Sequence, residues 1–347
     1  DDEVDIRVRF PYDVSNLDKL YQLRVPTTRG MVPISNFVEL TPAAKTGTLN
    51  LTDMAERVAD VTEMKPVLVA AGFITIGMAL KAAVFPLHVW LPNAYTFAPH
   101  AVTVFLAACG TKVALYVLLR FDFLVFQPNL AGHDLQFGYF LMPLAIAAIL
   151  VASWVAVFET RVKRLLAFSS IAQVGYILLG ASFVTGAGMA ASLLHMFNHA
   201  LAKGTLFIAV AALAMRLPGL AVSDLRGAGR RMPITMAVFV VGGLSLIGVP
   251  GTAGFTSKWW LLTAALDQGS LAVPLVAVIV AGSLLAVVYL WRIIEAAYFA
   301  EPAVATGSRN EAPAAMLAVA VVAAAGNIYF GLDAGLPASL ALEAATD

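Results

Sequence analysis

The chain has 347 residues, of which 60% are hydrophobic and 13% charged, and its mean hydropathy is +0.83. Soluble domains carry about 25% charged residues, so the composition excludes a water-soluble globular protein and indicates a polytopic membrane protein. The formal net charge is zero, which gives no footing for nucleic acid, and the one cysteine, Cys109, excludes an internal disulfide and a Cys-x-x-Cys cluster for zinc or iron–sulfur.

Residues 1–65 stand apart. They carry Asp1, Asp2, Glu3, Asp5, Arg7, Arg9, Asp13, Asp18 and Lys19 and contain no apolar run of membrane length, no initiator methionine and no signal peptide. VDIRVRF alternates apolar and charged residues as a half-buried strand does, and MVPISNFVEL also reads as extended. This is a short extramembrane segment of mixed strand character, too small to build a core alone.

From Pro66 onward the sequence predicts about eight transmembrane segments, near 66–84, 101–119, 137–158, 165–185, 188–215, 233–266, 271–299 and 313–332. The expected fold is an all-α polytopic membrane protein with two discontinuous helices. The first segment runs into VFPLHVWLPNAYTFAPH, with Pro86, Pro92 and Pro99. The sixth contains IGVPGTAGFTSKWW, with Gly248, Pro250, Gly251 and Gly254. Such breaks free backbone groups that lipid cannot satisfy, so they persist where they line an enclosed or wet cavity. Paired broken helices point to a transport site; the plain alternative is a kink or a loop between two short helices.

Basic residues sort by loop. Arg161, Lys163 and Arg164 lie between segments three and four, and Arg216, Arg226, Arg230 and Arg231 between five and six. The loops between four and five and between six and seven contain neither lysine nor arginine. The basic side is therefore cytoplasmic, and counting crossings puts residues 1–65 and the carboxyl end outside. Gly227 and Gly229 suit a tight turn before a helix starting at Pro233.

Four lysines, Lys81, Lys112, Lys203 and Lys258, interrupt apolar segments. Ionisable groups at membrane depth are rare and mark polar paths or ion sites. Lys203 is at least about 18 Å of helical rise from either end of its segment, at ~1.5 Å per residue. His195 and His199 precede it by eight and four residues and share its helical face. Histidine titrates near neutrality, and low dielectric disfavours the charged form of an amine. Spaced lysines and histidines bridged by water thus make a proton relay. The bland readings are that Lys81, Lys112 and Lys258 snorkel to an interface, and that the two histidines bond neighbouring carbonyls. His88, His100 and His133 sit near segment ends. Arg292 and Glu295, three apart, suit a structural helix pair, and Trp259, Trp260, Trp291 and Tyr298 suit interfacial belts.

No metal or cofactor site is expected. Two histidines four apart on one helix would want further ligands, and no carboxylate lies in that segment. No histidine stands at a spacing that requires a nucleophilic dyad with Ser169, Ser170 or Ser257, and no phosphate-binding glycine motif occurs. The chain reads as a transporter subunit rather than an enzyme.

LKAAVFPLHVWLPNAYTFAPHAVTVFLAACGTKVALYVLLRF, ETRVKRLLAFSSIAQVGYILLG, HMFNHALAKGTLFIAVAAL and DLRGAGRRMPITMAVFVVGGLSLIGVPGTAGFTSKWWLL resemble the proton-translocating antiporter-like subunits: Mrp-type sodium/proton antiporter subunits A and D and the pump subunits of respiratory complex I. The resemblance spans about Gly47 to Phe330. It implies that Lys81 matches the lysine of the family's broken seventh helix and Lys112 the lysine or histidine of the next. His195, His199 and Lys203 would match the polar cluster of the eleventh, and Lys258 the ionisable residue of the broken twelfth. It also implies other membrane subunits, protons, possible Na+ and the lipid bilayer as partners. The sequence supplies only the seventh to fourteenth helices, so Lys81 would lack the glutamate that the family places on its fifth helix.

EVDIRVRFPYDVSNLDKLYQLRVPTTRGMVPISNFVEL resembles part of the periplasmic porter region of RND efflux pumps, with a join near Ala44–Thr48. The expected organisation is a porter-like fragment over 1–47, a linker over 48–65, the carboxyl-terminal half of an antiporter-like membrane domain over 66–335, and a tail over 336–347. The chain ends soon after Phe330 without a lateral helix, which favours an Mrp D-type sodium/proton antiporter subunit of the cell membrane. The alternatives are a pump subunit of a complex I-like or membrane-hydrogenase assembly and a truncated or fused remnant without autonomous transport.

Overall fold

The computed structural model describes residues 24–27, 30–33, 51–61, 64–126, 137–217, 219–301 and 310–346. The expected VDIRVRF strand, most of MVPISNFVEL and of the porter-like fragment, and His133 lie outside these residues. The chain divides into two compact units, Asp1–Asn50 and Leu51–Asp347. In the first, β1 (Arg24–Thr27) pairs antiparallel with β2 (Gly30–Pro33), with Val25 opposite Val32.

The described residues of the second unit are almost wholly helical. A short amphipathic helix, α1 (Leu51–Ala59), precedes α2 (Met64–Ala82). After a break come α3 (Trp90–Phe97), the span α4 (His100–Phe126) and the span α5 (Phe140–Phe158). The central pair is α6 (Val162–Ser182) and α7 (Gly186–Ala214). Then follow α8 (Pro233–Ile247), α9 (Ala253–Leu266), α10 (Ala272–Tyr298), α11 (Ala314–Leu332) and α12 (Gly335–Thr346). Seven helices among the described residues are long and apolar enough to cross a membrane. The sixth expected segment, 233–266, is two shorter helices divided at 248–252. The span α4 runs on to Phe126, seven residues past the expected end, through a π-helical turn at Phe121–Phe126.

Burial sorts the helices into layers. The apolar stretch of α6 is entirely enclosed, and it packs on α3, α5, α7, α9 and α10. A helix that is apolar all round belongs at the centre of such a bundle. By contrast α2 and α11 expose large apolar side chains, including Phe73, Ile76, Val322 and Tyr329, as helices facing lipid or a neighbouring membrane subunit do.

Both breaks occur where expected. At the first, α2 stops at Ala82, Ala83 takes a positive φ of 57°, and Pro86 lies in the connection before α3. The Trp90 indole donates to the Leu80 carbonyl at 2.8 Å, which also accepts from the Ala83 N–H at 3.1 Å, so the connection is tied back to the last turn of α2. At the second, Gly248 closes α8 with φ 90°, and its N–H and that of Val249 both turn back to Leu244. This left-handed position favours glycine. Pro250 and Gly251 (φ 85°) carry the chain to Thr252, where α9 begins. Gly254 lets α9 lie on the end of α8, because a Cβ there would fall 1.7 Å from the Ser245 carbonyl oxygen.

The two basic loops meet on one side of the bundle. Val162 N–H donates to Leu220 at 2.9 Å and Val222 N–H to Thr160 at 2.8 Å, zipping the segment before α6 to the segment after α7. Gly227 sits at φ 71° before the turn Ala228–Arg231, and α8 starts at Pro233 as expected. One expected pair is replaced. Arg292 does not bridge to Glu295; it donates to the carbonyls of Val157 and Glu159, the latter at 3.2 Å. Guanidinium donors at unpaired carbonyls of a helix end gain charge-assisted bonds and a favourable dipole, which outweighs an exposed pair three residues apart.

Candidate functional site

Five of the expected site residues come together in the interior. Lys112, His195, His199, Lys203 and Lys258 are all 6% exposed or less. Three come from α7, where spacings of four and eight stack them on one face. The other two are brought in by α4 and by α9, both packed against α7.

Lys203 is completely enclosed. Its ammonium nitrogen donates to the Leu166 carbonyl at 2.7 Å and reaches Ser169 Oγ at 2.5 Å, both on α6. Ser169 and Ser170 also donate to that carbonyl, at 2.9 and 3.0 Å. Three donors thus converge on one oxygen. Depth prevents snorkelling, and the polar groups of α6 take its place.

One turn back, His199 is 2% exposed and neither ring nitrogen has a hydrogen-bond partner in the protein. Its ring stacks on His195, centroids 6.3 Å apart. Both nitrogens of His195 are held, Nδ1 by Ser257 Oγ and Nε2 by Gln173 Oε1, each at 2.9 Å. The Ser257 contact crosses from α7 to α9, a pairing that linear spacing does not reveal. It is no hydrolytic dyad, because Ser257 is fully enclosed and no substrate can approach.

Lys258 follows the second break. Its nitrogen donates to the carbonyls of Leu246 and Ile247 at 3.1 and 2.9 Å and to Ser283 Oγ on α10 at 3.0 Å. It stands 4.6 Å above the Tyr176 ring, which is edge-on to His195 at 5.7 Å. The cation therefore faces the negative end of a helix and an aromatic π-face together. A cavity of about 230 Å³ beside it is lined by Gly248, Trp259, Ser283 and Val287 among others.

Lys112 opens the regular helix after a π-helical turn at Leu106–Gly110 and donates to the Ala107 carbonyl within that turn. Such turns expose carbonyls and recur at functional sites. The turn abuts α7 beside Lys203: a Cβ on Gly204 would lie 3.7 Å from the Ala108 side chain.

Lys81 is placed differently. It is exposed, near the end of α2 and the first break, and outside the buried set. Pro86 lies in that first break, and Pro250, Gly251 and Gly254 in or beside the second. Gln173, Tyr176 and Ser283, which partner the titratable groups, were not picked out from the sequence, and Ser169 was weighed there only as a nucleophile. Nor was Asp122, a fully enclosed carboxylate at the far end of α4 that accepts from Thr75 at 2.7 Å. Gln173 is the most legible of these, as the one amide within α6.

Taken together, Lys112, Lys203, His199, His195 and Lys258 form a buried set of amines and imidazoles drawn from α4, α7 and α9. Hydroxyls, one amide and main-chain carbonyls hold Lys112, Lys203, His195 and Lys258, while His199 has no hydrogen-bond partner among the described residues.

Comparison with known proteins bears on this arrangement. The sequence family described as NADH:quinone oxidoreductase/Mrp antiporter, TM matches residues 43–286. NADH-quinone oxidoreductase subunit N of Desulforudis audaxviator is 40% identical over 301 residues, covering 83% of this chain and 59% of that protein. A chain in the structure of the membrane-bound sulfane sulfur reductase, an archaeal respiratory membrane complex, superposes with a TM-score of 0.75 at 32% identity, covering 87% of this chain and 60% of that one. A chain in the Mrp complex of Dietzia sp. DQ12-45-1b gives a TM-score of 0.75 at 25% identity, with coverages of 86% and 62%. The chain thus spans about three-fifths of the length of each of these proteins.

Proposed function

The chain belongs to the NADH:quinone oxidoreductase/Mrp antiporter transmembrane family, and from that premise we propose that it is a proton-conducting membrane subunit of a complex I-like respiratory assembly. The observation that carries this reading is the enclosed row from Lys112 through Lys203, His199 and His195 to Lys258. A charge on any member raises the cost of a charge on the next, since repulsion grows in low dielectric. Protons then advance by displacement along the row. Lys258, at the second break and beside its own cavity, is the member placed to release a proton toward the outside or to a neighbouring subunit.

The Mrp D-type sodium/proton antiporter favoured by the sequence becomes the second reading. Greater identity to a quinone oxidoreductase subunit, 40%, than to the Mrp chain, 25%, supports the respiratory assembly over it. Its own support is the equal TM-score of 0.75 for the Mrp chain. The partners we infer are the other membrane subunits of such an assembly, in the cell membrane.

Purifying the chain from its native membrane with its assembly and measuring proton translocation with and without sodium tests the choice. Translocation that follows quinone reduction and ignores sodium is expected. Exchange that requires sodium and proceeds without an electron donor would return the antiporter to first place.

A further inference from the structure

On the basic side of the bundle a cleft of about 590 Å³ opens between the connection from α3 to α4 and the two zipped loops, lined by Phe97, His100, Arg161, Lys163 and Asp224 among others. Lys163 is 5% exposed, and its ammonium donates to the Ala98 carbonyl at 2.7 Å. That is one bond from a group with three donors. Among the described residues no carboxylate pairs with Lys163 or with the exposed Arg161, and the side chains of Arg161 and His100 have no hydrogen-bond partner. Asp224 is the one carboxylate in the lining, and it accepts from the Ala221 N–H of its own turn at 2.9 Å.

A buried cation without a counter-charge is costly to keep, and two cations against one carboxylate leave the concave surface net positive. The cleft is therefore built for an anion. A guanidinium takes two oxygens of a phosphate in its planar fork, and an ammonium takes a third as a point charge. The apolar surroundings say where that phosphate comes from. Phe97, in the cleft wall, is 77% exposed. Val102 and Phe105 are also exposed; they lie three apart on one face of the first turns of α4. An apolar track thus leads from the cations along a membrane-spanning helix. A free phosphate or an acidic peptide would use the cations and leave the track bare, whereas a phospholipid uses both.

We propose that this cleft is a binding site for an anionic phospholipid of the leaflet on the basic side, with Lys163 and Arg161 on the phosphate oxygens, His100 at the rim, and an acyl chain along Phe97, Val102 and Phe105. The site is independent of the proton-conducting reading and needs only that the chain spans a membrane. Arg216, Arg226, Arg230 and Arg231 lie in the loops of the same side, and basic residues at a membrane surface draw anionic lipid toward it. The bound headgroup joins the start of α6 to the connection between α3 and α4, two segments that the Lys163 bond to Ala98 alone ties together at this point.

The test places the purified assembly in vesicles that contain phosphatidylglycerol with a photoactivatable group in its acyl chain, and maps the label by mass spectrometry. Label is expected on the segment 97–105, and the same probe on phosphatidylcholine is expected to label it less. Arg161→Gln and Lys163→Met are each expected to lower the phosphatidylglycerol label there about fivefold and to leave the phosphatidylcholine label unchanged. Arg161 is exposed, so its variant decides the matter if Lys163→Met fails to assemble. Equal labelling by the two lipids, or parent-level labelling in an assembled variant, would overturn the site. So would loss of the label on adding inorganic phosphate, which would assign the cleft to a soluble anion. An unlabelled segment, with a carbodiimide cross-link from Lys163 to a carboxylate of a neighbouring subunit, would assign it to an acidic protein segment and likewise overturn the proposal.

Discussion

Lys258 Nζ lies 2.9 Å from the carbonyl of Ile247, the last residue of α8, across the break that separates them in the chain. Interrupting a helix in a membrane strands carbonyls that neither lipid nor the next turn can serve. Here the side chain of the following helix serves them. The same lysine thus plugs the broken helix and, in the proposed function, ends the buried row.

Replacing Lys258 with methionine keeps the apolar stem and removes the donors. The Leu246 and Ile247 carbonyls lose their partner, at a cost of about 2 kcal/mol or more for a buried bond to a charged donor. The expected outcome is a lower thermal midpoint of the purified assembly together with lost proton translocation. A variant with unchanged midpoint would show that the break is satisfied by other means.

Gly254→Ala is a stricter probe of the break. The added Cβ would meet the Ser245 carbonyl oxygen at 1.7 Å, a backbone atom that no rotamer change can move aside. Overpacking of this kind costs ~3 kcal/mol, at the upper end of the usual range. Reduced yield and a reduced thermal midpoint are expected, while Gly251→Ala meets no neighbouring atom and strains only its own positive φ, so its loss should be smaller.

His195 is clamped from both sides, which makes its two partners separable. Gln173→Leu leaves Nε2 unpartnered, and Ser257→Ala leaves Nδ1 unpartnered. Each is expected to cost about 1–3 kcal/mol and to slow translocation by freeing the ring from the orientation that stacks it on His199. Proton flux measured across vesicles bearing each variant checks this; parent-level flux in both would mean the ring orientation does not matter.

Arg292→Ala removes the donor at the carbonyls of Val157 and Glu159, and Glu295→Ala removes the residue that spacing alone would pair with it. A loss of about 1–2 kcal/mol is expected for the first and a change within about 0.5 kcal/mol for the second. Thermal midpoints of the two variants decide between the interhelix contact and the helix pair.

The zipped basic loops fix which surface is common to 161–164 and 216–231. In a Cys109→Ser background, Arg226→Cys should react with a membrane-impermeant thiol reagent only when the cytoplasmic face is exposed. Reaction from outside would invert the topology.

The elements most legible in the sequence were those set by composition along a single helix. Apolar length gave the spans, proline and glycine gave the two breaks, and a spacing of four put His195, His199 and Lys203 on one face. Partner choice was not legible, because it depends on which helices touch. Ser257 is 62 residues from His195, and nothing in their spacing announces the contact. Arg292 illustrates a rule that lost to a stronger one: a neighbour three residues away on the same helix gave way to unpaired carbonyls of α5. The lysines looked alike in sequence, yet packing divides them, with Lys81 exposed and Lys203 fully enclosed. The π-helical turns at Leu106–Gly110 and Phe121–Phe126 were not read from the sequence either.

The central claim is that protons pass through Lys203, and Lys203→Met tests it most directly, because methionine keeps the volume and the enclosure while removing every titratable proton. In the purified assembly reconstituted into vesicles, proton translocation per electron pair is expected to fall sharply while the assembly stays intact, since Ser169 and Ser170 continue to occupy the Leu166 carbonyl. An intact assembly that translocates as many protons with methionine at this position as with lysine would contradict the account.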